Sequence, residues 1–371
     1  MRILQVINTF ARGGGAEKLL LDLVLEFKKK GNDVEILSIY HPQNVMNDDF
    51  IKIIKSKNIK IHFLSSKNLV SISNIIKIYK FFKKNNYDIV HSHLFPSLYL
   101  TAIMKFSFPS TKLIYTEHST DNRRRHILLF KLLDNFIYKK YDKIICITET
   151  VQKSLLAHVA NISTIIINNA INVNEFHSAI PIIKKELIPI YNDSIKLVLM
   201  NARFVVAKDH ITLFKAIKLL PNYVHLLLIG KGDLENDYKK YCKENNIDDR
   251  VHFLGLRTDV ANILQSVDLN VLSSNHEGFS ISMLESMATG KPFIASSVPG
   301  IVDLISDYAL LYPHKDQHRL AEIISNVLND NALAITTGER CFNFAKNYDI
   351  NNCAENHLDT YFDVLNLRTK Y

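Results

Sequence analysis

At 371 residues the chain exceeds what one hydrophobic core serves, so two domains of about 150 to 200 residues are expected. A content of 47% hydrophobic and 22% charged residues excludes a disordered chain, and charge interrupts every long apolar stretch within about 18 residues, which excludes an integral membrane protein. The net charge of +8 is unevenly placed: residues 1–170 carry 25 Lys and Arg against 13 Asp and Glu (+12), the remainder 20 against 24 (−4).

The chain opens on a short apolar strand, Ile3 to Ile7, without the charged region, apolar core and cleavage site of a signal peptide. Arg12-Gly13-Gly14-Gly15-Ala16-Glu17 leads into an amphipathic helix through Phe27. Strand, glycine loop and helix open a nucleotide-binding half, although Gly-x-Gly-x-x-Gly is absent; the glycines suit a tight turn of positive φ or a ligand's close approach. Further strands are predicted at Asp33 to Ile39, Lys60 to Leu64, Asp88 to His91, Lys112 to Tyr115, Lys143 to Ile147 and Ser163 to Ile167, with helical patterns between them. That alternation predicts a parallel sheet covered on both faces, with ligands at the carboxyl ends of its strands. His91, His93 and His118 each fall just after a strand; Glu117 either orients His118 or is solvated.

The basic first half has two available partners, nucleic acid and an anionic membrane surface, but no nucleic-acid module is visible. Ile75 to Lys84, a Lys-rich helical stretch, and Arg123-Arg124-Arg125 suit anionic lipid headgroups; a solvated basic face is the alternative. The four cysteines, Cys146, Cys242, Cys341 and Cys353, show neither zinc-site nor disulfide spacing, so a reducing cytoplasm fits, with peripheral placement on the inner face of the plasma membrane.

Pro181 to Asp193 is the best linker candidate, and Ile195 to Met200 starts a second strand series. Arg203 and Lys208 follow on the loop before a helix beginning near His210. Two permanent cations there suit an anion such as a diphosphate, unless both are solvated. Val224 to Ile229 with Gly230-Lys231-Gly232, and Val251 to Gly255, continue the series. Residues 268–300 then read as one strand, loop, helix, turn and strand: Leu269 to Leu272, a helix over Met283 to Ala288 stopped by Gly290 and Pro292, and Phe293 to Ala295. Glu277 lies on the loop and Glu285 in the first helical turn. Gly278 admits a ligand's close approach, and the free N–H groups around Ser280 to Met283 suit phosphate. Ser282-Met283-Leu284-Glu285 also has the form of a capping box, which would employ Glu285 structurally.

His-Glu-Gly-Phe-Ser-Ile-Ser-Met-Leu-Glu-Ser-Met-Ala-Thr-Gly-Lys-Pro, from His276, resembles the Glu-x7-Glu signature of the retaining family 4 glycosyltransferases of group 1 type. The resemblance implies an α/β fold of two Rossmann-like domains facing across a cleft (GT-B type). The expected domains are residues 1–175, binding acceptor, with a C-terminal helix within 350–371 packing back on them, and 190–348, binding the nucleotide-sugar. It implies transfer of a sugar from a nucleotide diphosphate donor, UDP-sugar favoured over GDP-sugar, to an acceptor hydroxyl in surface-polysaccharide or lipid-linked glycan assembly. Arg203 and Lys208 would grip the diphosphate, Glu285 the ribose, and Glu277 the transferred sugar. His118 would position that sugar and support developing charge. Gly14, Gly15, Gly278, Phe279 and Ser280 would line the donor. No cofactor or metal is expected. Asn168, Ala170 and Asn172 depart from the family's Pro-Asn-Gly-hydrophobic-Asp crossover, which suggests a shifted backbone path. The reading from another class is a non-catalytic scaffold of the same fold.

Overall fold

The structure, a computed structural model, describes residues 1–41, 48–65, 69, 71–120, 125 and 127–366. The chain forms two compact units: residues 1–169 with the C-terminal stretch from Ile350, and Ala170–Asp349. No helix among the described residues is long and apolar enough to cross a membrane.

The first unit is built on a parallel sheet of β1 (Arg2–Ile7), β2 (Asp33–Tyr40), β3 (Lys60–Ser65), β4 (Ile89–His93), β5 (Lys112–Glu117), β6 (Lys143–Cys146) and β7 (Thr164–Ile166), in the order β3-β2-β1-β4-β5-β6-β7. Its central strands are apolar runs because helices cover both faces: Ile3, Leu4, Val6, Ile7, Ile89 and Val90 are fully buried. The strand order turns back at β1 and β4, the place where such sheets open a ligand crevice at their carboxyl edge. The helix Ile350–Val364 buries Ile350, Cys353, Ala354, His357, Leu358 and Tyr361, a stripe at helical spacing. It lies against the helix Gly15–Lys29, with the rings of Phe27 and Tyr361 5.7 Å apart and Lys30 paired to Glu355 at 2.8 Å.

The second unit has β8 (Lys196–Asn201), β9 (Val224–Ile229), β10 (Val251–Gly255), β11 (Leu269–Leu272), β12 (Phe293–Ser297) and β13 (Leu310–Pro313), again parallel, in the order β10-β9-β8-β11-β12-β13. Its turning point is the β8–β11 pair, in which Leu269 faces Val198 and Asn270 faces Leu199. Residues 170–195 belong to this unit and include the helix Val173–His177, capped by Asn172, whose side chain accepts from the Glu175 N–H at 3.2 Å. Ala170 is buried without a positive φ, so the crossover does not require the glycine it lacks.

Candidate active site

In the second unit the loops leaving β8 and β11 are tied together by backbone. The Asn275 N–H donates to the Ala207 carbonyl at 2.9 Å and the Asp209 N–H to the Ser273 carbonyl at 3.0 Å. This register brings Lys208 against Glu277, and the Lys208 ammonium donates to Glu277 Oε1 in a half-buried ion pair. Ser274 donates its hydroxyl to the same oxygen at 2.7 Å. At the end of β8, Asn201 Nδ2 donates to Glu285 Oε2 at 3.0 Å, and Glu285 is buried. Arg203 is exposed, and among the described residues its guanidinium has no hydrogen-bonding or ion-pair partner.

Glycines set the height of these loops. A Cβ at Gly230 would lie 2.1 Å from the Ala202 carbonyl oxygen, and one at Gly232 2.2 Å from that of Phe204. The two backbones flank Arg203 at a distance that only glycine permits. Gly300, at φ +84°, likewise approaches the Glu277 carbonyl, where a Cβ would come within 2.1 Å. At Gly278 the space for a Cβ is open.

The helix here runs from Ile281 to Ala288, two residues earlier than its sequence pattern suggests. Its N-cap is Ser280, whose hydroxyl accepts from the Met283 N–H at 3.4 Å. The capping-box expectation for Ser282 and Glu285 therefore fails: Glu285 sits in the second turn and faces Asn201 instead. The Phe279 ring is buried against that of Tyr348, with centroids 5.1 Å apart. Lys208 was expected to grip an anion and Glu277 a sugar; in the structure each is the other's partner.

Of the three glycines at 13–15 in the first unit, Gly13 has a positive φ (+144°). Gly14 is the extended N-cap of the helix that Gly15 begins. A Cβ at Gly14 would come 2.1 Å from Glu17 Oε2, so the loop is shaped by the carboxylate folded against it. His91 and His93 lie inside β4, not beyond it, and both are buried. Glu117, expected to orient His118 or to be solvated, is buried and instead accepts from Tyr138 Oη at 2.6 Å and pairs with Arg125 at 3.3 Å. That removes Arg125 from the set of lipid-facing cations; Arg123 and Arg124 fall outside the described residues.

His118 ends a buried hydrogen-bond chain whose directions follow from its partners. Gln5 Nε2 donates to Tyr361 Oη at 3.2 Å, which leaves Gln5 Oε1 to accept from His93 Nε2 at 2.8 Å. The Tyr361 hydroxyl proton goes to His91 Nδ1 at 2.7 Å, and His91 Nε2 donates to Thr116 Oγ1 at 2.7 Å. His93 Nδ1 then accepts from His118 Nε2 at 3.4 Å, so His118 carries its proton on Nε2 and keeps Nδ1 as an acceptor. Burial, helped by His357 nearby, lowers the His118 pKa to about 4. The ring is therefore neutral at pH 7, with Nδ1 available to accept a hydrogen bond.

Asn201, Ser274 and the Gly230–Gly232 pair were not singled out for the site by sequence. Position at the carboxyl end of a strand was the available signal for Asn201 and Ser274, as a doubled glycine after β9 was for the pair.

Two family models match in succession: "Glycosyltransferase Family 4" over residues 13–175 and "Glycosyl transferases group 1" over residues 186–347. The chain is 27% identical over 314 residues to the UDP-Gal:alpha-D-GlcNAc-diphosphoundecaprenol alpha-1,3-galactosyltransferase of Escherichia coli, covering 79% of this chain and 80% of that one. It is 32% identical over 197 residues to the N,N'-diacetylbacillosaminyl-diphospho-undecaprenol alpha-1,3-N-acetylgalactosaminyltransferase of Campylobacter jejuni, 49% of this chain and 52% of the other. Among solved structures, Anabaena Alr3699/HepE in complex with UDP and glucose superposes with a TM-score of 0.81 at 19% identity, covering 98% and 100% of the two chains. The fold is that of the GT-B glycosyltransferases. With both domains accounted for, the chain belongs to the glycosyltransferases that join a family 4 domain to a group 1 domain.

Proposed function

We propose that the protein is a retaining glycosyltransferase that moves a sugar from a UDP-sugar to a hydroxyl of a lipid-linked glycan acceptor. The observation that carries the reading is the pairing of the loops that leave β8 and β11 at the turning point of one sheet: Lys208, on the loop that also carries Arg203, meets Glu277, and Asn201 at the end of β8 holds Glu285. The acceptor class is supported by the diphosphoundecaprenol-linked substrates in the names of the E. coli and C. jejuni relatives, and UDP by the first of these. A GDP-sugar is the second donor to try.

In this reading Arg203, without a partner among the described residues, takes the diphosphate first, and Lys208 leaves Glu277 to join it. Glu277 is thereby released to accept hydrogen bonds from the transferred sugar's hydroxyls, while Glu285 takes the ribose. The two cations and the N–H groups at the Ile281 helix start stabilise the leaving diphosphate as its bond to the anomeric carbon breaks, so the reaction needs no metal. The acceptor hydroxyl attacks the anomeric carbon from the face the diphosphate leaves and passes its proton to the departing diphosphate oxygen, with no covalent intermediate on Glu277. The first unit takes the acceptor, where His118 accepts from a sugar hydroxyl through Nδ1. Transfer from labelled UDP-sugars to a diphosphoundecaprenol-linked sugar, in the presence of EDTA, tests this. A product with the donor's anomeric configuration is expected; an inverted product, or loss of activity in EDTA that added metal restores, would overturn the retaining or metal-free part.

A further inference from the structure

The helices Ile72–Lys84, Ser97–Met104 and Leu128–Tyr138 pack side by side on one face of the first unit's sheet, the middle one touching both others. The outer two leave apolar side chains in water that a folded helix usually buries. On Leu128–Tyr138, Leu128 (75% exposed), Leu129, Leu132 (66%), Leu133 and Phe136 form a continuous stripe at helical spacing. On Ile72–Lys84 the row is Ile72 (81%), Ile76 and Tyr79. Aromatic pairs extend the band between the helices: Tyr79 with Phe108 at 5.6 Å, and Phe106 with Phe136 at 5.8 Å.

Among the described residues, the exposed charges on these three helices are lysines. Lys77, Lys80, Lys83 and Lys84 are exposed on the first helix, which contains no acid. Lys140 stands over the rings of Phe106 and Phe136 at 4.6 and 4.5 Å. The acid of the Leu128–Tyr138 helix, Asp134, is turned inward, fully buried, and holds Tyr99 and His158. We propose that this face is a docking surface for an anionic lipid bilayer, with the Leu128–Phe136 stripe and Ile72–Ile76 entering the headgroup–acyl boundary and the lysines lying among the headgroups. A second copy of the same chain fits less well, because a symmetric contact through this face would set lysine against lysine.

Helices in a parallel α/β layer run opposite to the strands, so Ile72 and Leu128 begin their helices at the carboxyl edge of the sheet. Leu128 follows His118 by ten residues. A bilayer held there keeps a lipid-linked acceptor beside the edge that receives it. In this purpose the proposal rests on the reading of a lipid-linked acceptor; the surface itself does not.

The test is flotation of the full chain with vesicles of phosphatidylglycerol and phosphatidylcholine, and with phosphatidylcholine alone. The wild type is expected to float with the anionic vesicles at low salt and far less at high salt. Leu128→Asp with Leu132→Asp should weaken binding at least about tenfold, and Lys77→Glu with Lys80→Glu should remove the preference for anionic lipid. These residues are exposed, and an unchanged melting temperature without lipid confirms that the variants fold. The proposal is overturned if the wild type does not float, if the leucine variant floats like it, or if the wild type is a dimer that the leucine variant dissociates. UDP binding measured without vesicles reads the transferase proposal separately.

Discussion

At the scale of residues, the site pairs its own opposite charges. Lys208 and Glu277 neutralise one another, while the exposed Arg203 has no partner among the described residues. Replacing Glu277 therefore has opposite effects on two measurements. Glu277→Gln should lower kcat by about 10² to 10³, the usual cost of losing one group aimed at the transition state. The same variant should bind UDP at least as tightly as wild type, because Lys208 no longer has to leave a carboxylate; calorimetry showing loss of UDP binding would contradict the pairing. The types and spacing of these residues were legible in the sequence, and so was their position at strand ends. Their mutual contacts were not, since Lys208 and Glu277 are 69 positions apart. The same holds for His118: its strand-end position could be read, but its tautomer depends on Gln5 and Tyr361, which lie at opposite ends of the chain.

At the scale of elements, the decisive feature is how closely neighbouring loops approach. The loop after β8 and the doubled glycine after β9 could be read locally, but not that Gly230 packs against the Ala202 carbonyl. Gly230→Ala should push the Arg203 loop outward and weaken UDP affinity about tenfold or more, since the residue also holds φ +144°. Unchanged affinity in a titration would show that the loop tolerates the shift. Helix ends were misread by two residues at Ile281 because Ser280 and Ser282 are both acceptable caps; only the geometry selects Ser280. Strand ends erred in the same way at β4 and β5, where His93 and Glu117 continue the ladder although polar side chains usually mark its end.

At the scale of the whole molecule, two parallel sheets in succession were legible because alternating short apolar runs and helical patterns admit few other folds. The cluster of buried histidines in the first unit was not, although it has a consequence for stability. Burial lowers the pKa of His118 and His357 to about 4, and drives His91 and His93 well below the ordinary value. Below pH 6.5 the unfolded chain binds protons that the folded chain refuses, so stability is lost as pH falls from 6.5 towards 4. At pH 5 a neutral buried histidine such as His357 costs up to about 2 kcal/mol. The melting temperature should therefore drop between pH 7 and pH 5; a flat profile would contradict the buried neutral cluster.

The central claim is that the Arg203–Lys208–Glu277–Glu285 group holds a nucleotide-sugar. It is tested most directly by thermal shifts with UDP, GDP, ADP and their sugar conjugates, on wild type and Arg203→Ala. Ligand in hundredfold excess over its Kd stabilises a protein by about 2.7 kcal/mol, well within the reach of such a measurement. Stabilisation by UDP and UDP-sugars that Arg203→Ala abolishes is the predicted result. Stabilisation by no nucleotide, or by one that the variant binds equally well, would contradict the account, and the first of these would favour a non-catalytic scaffold.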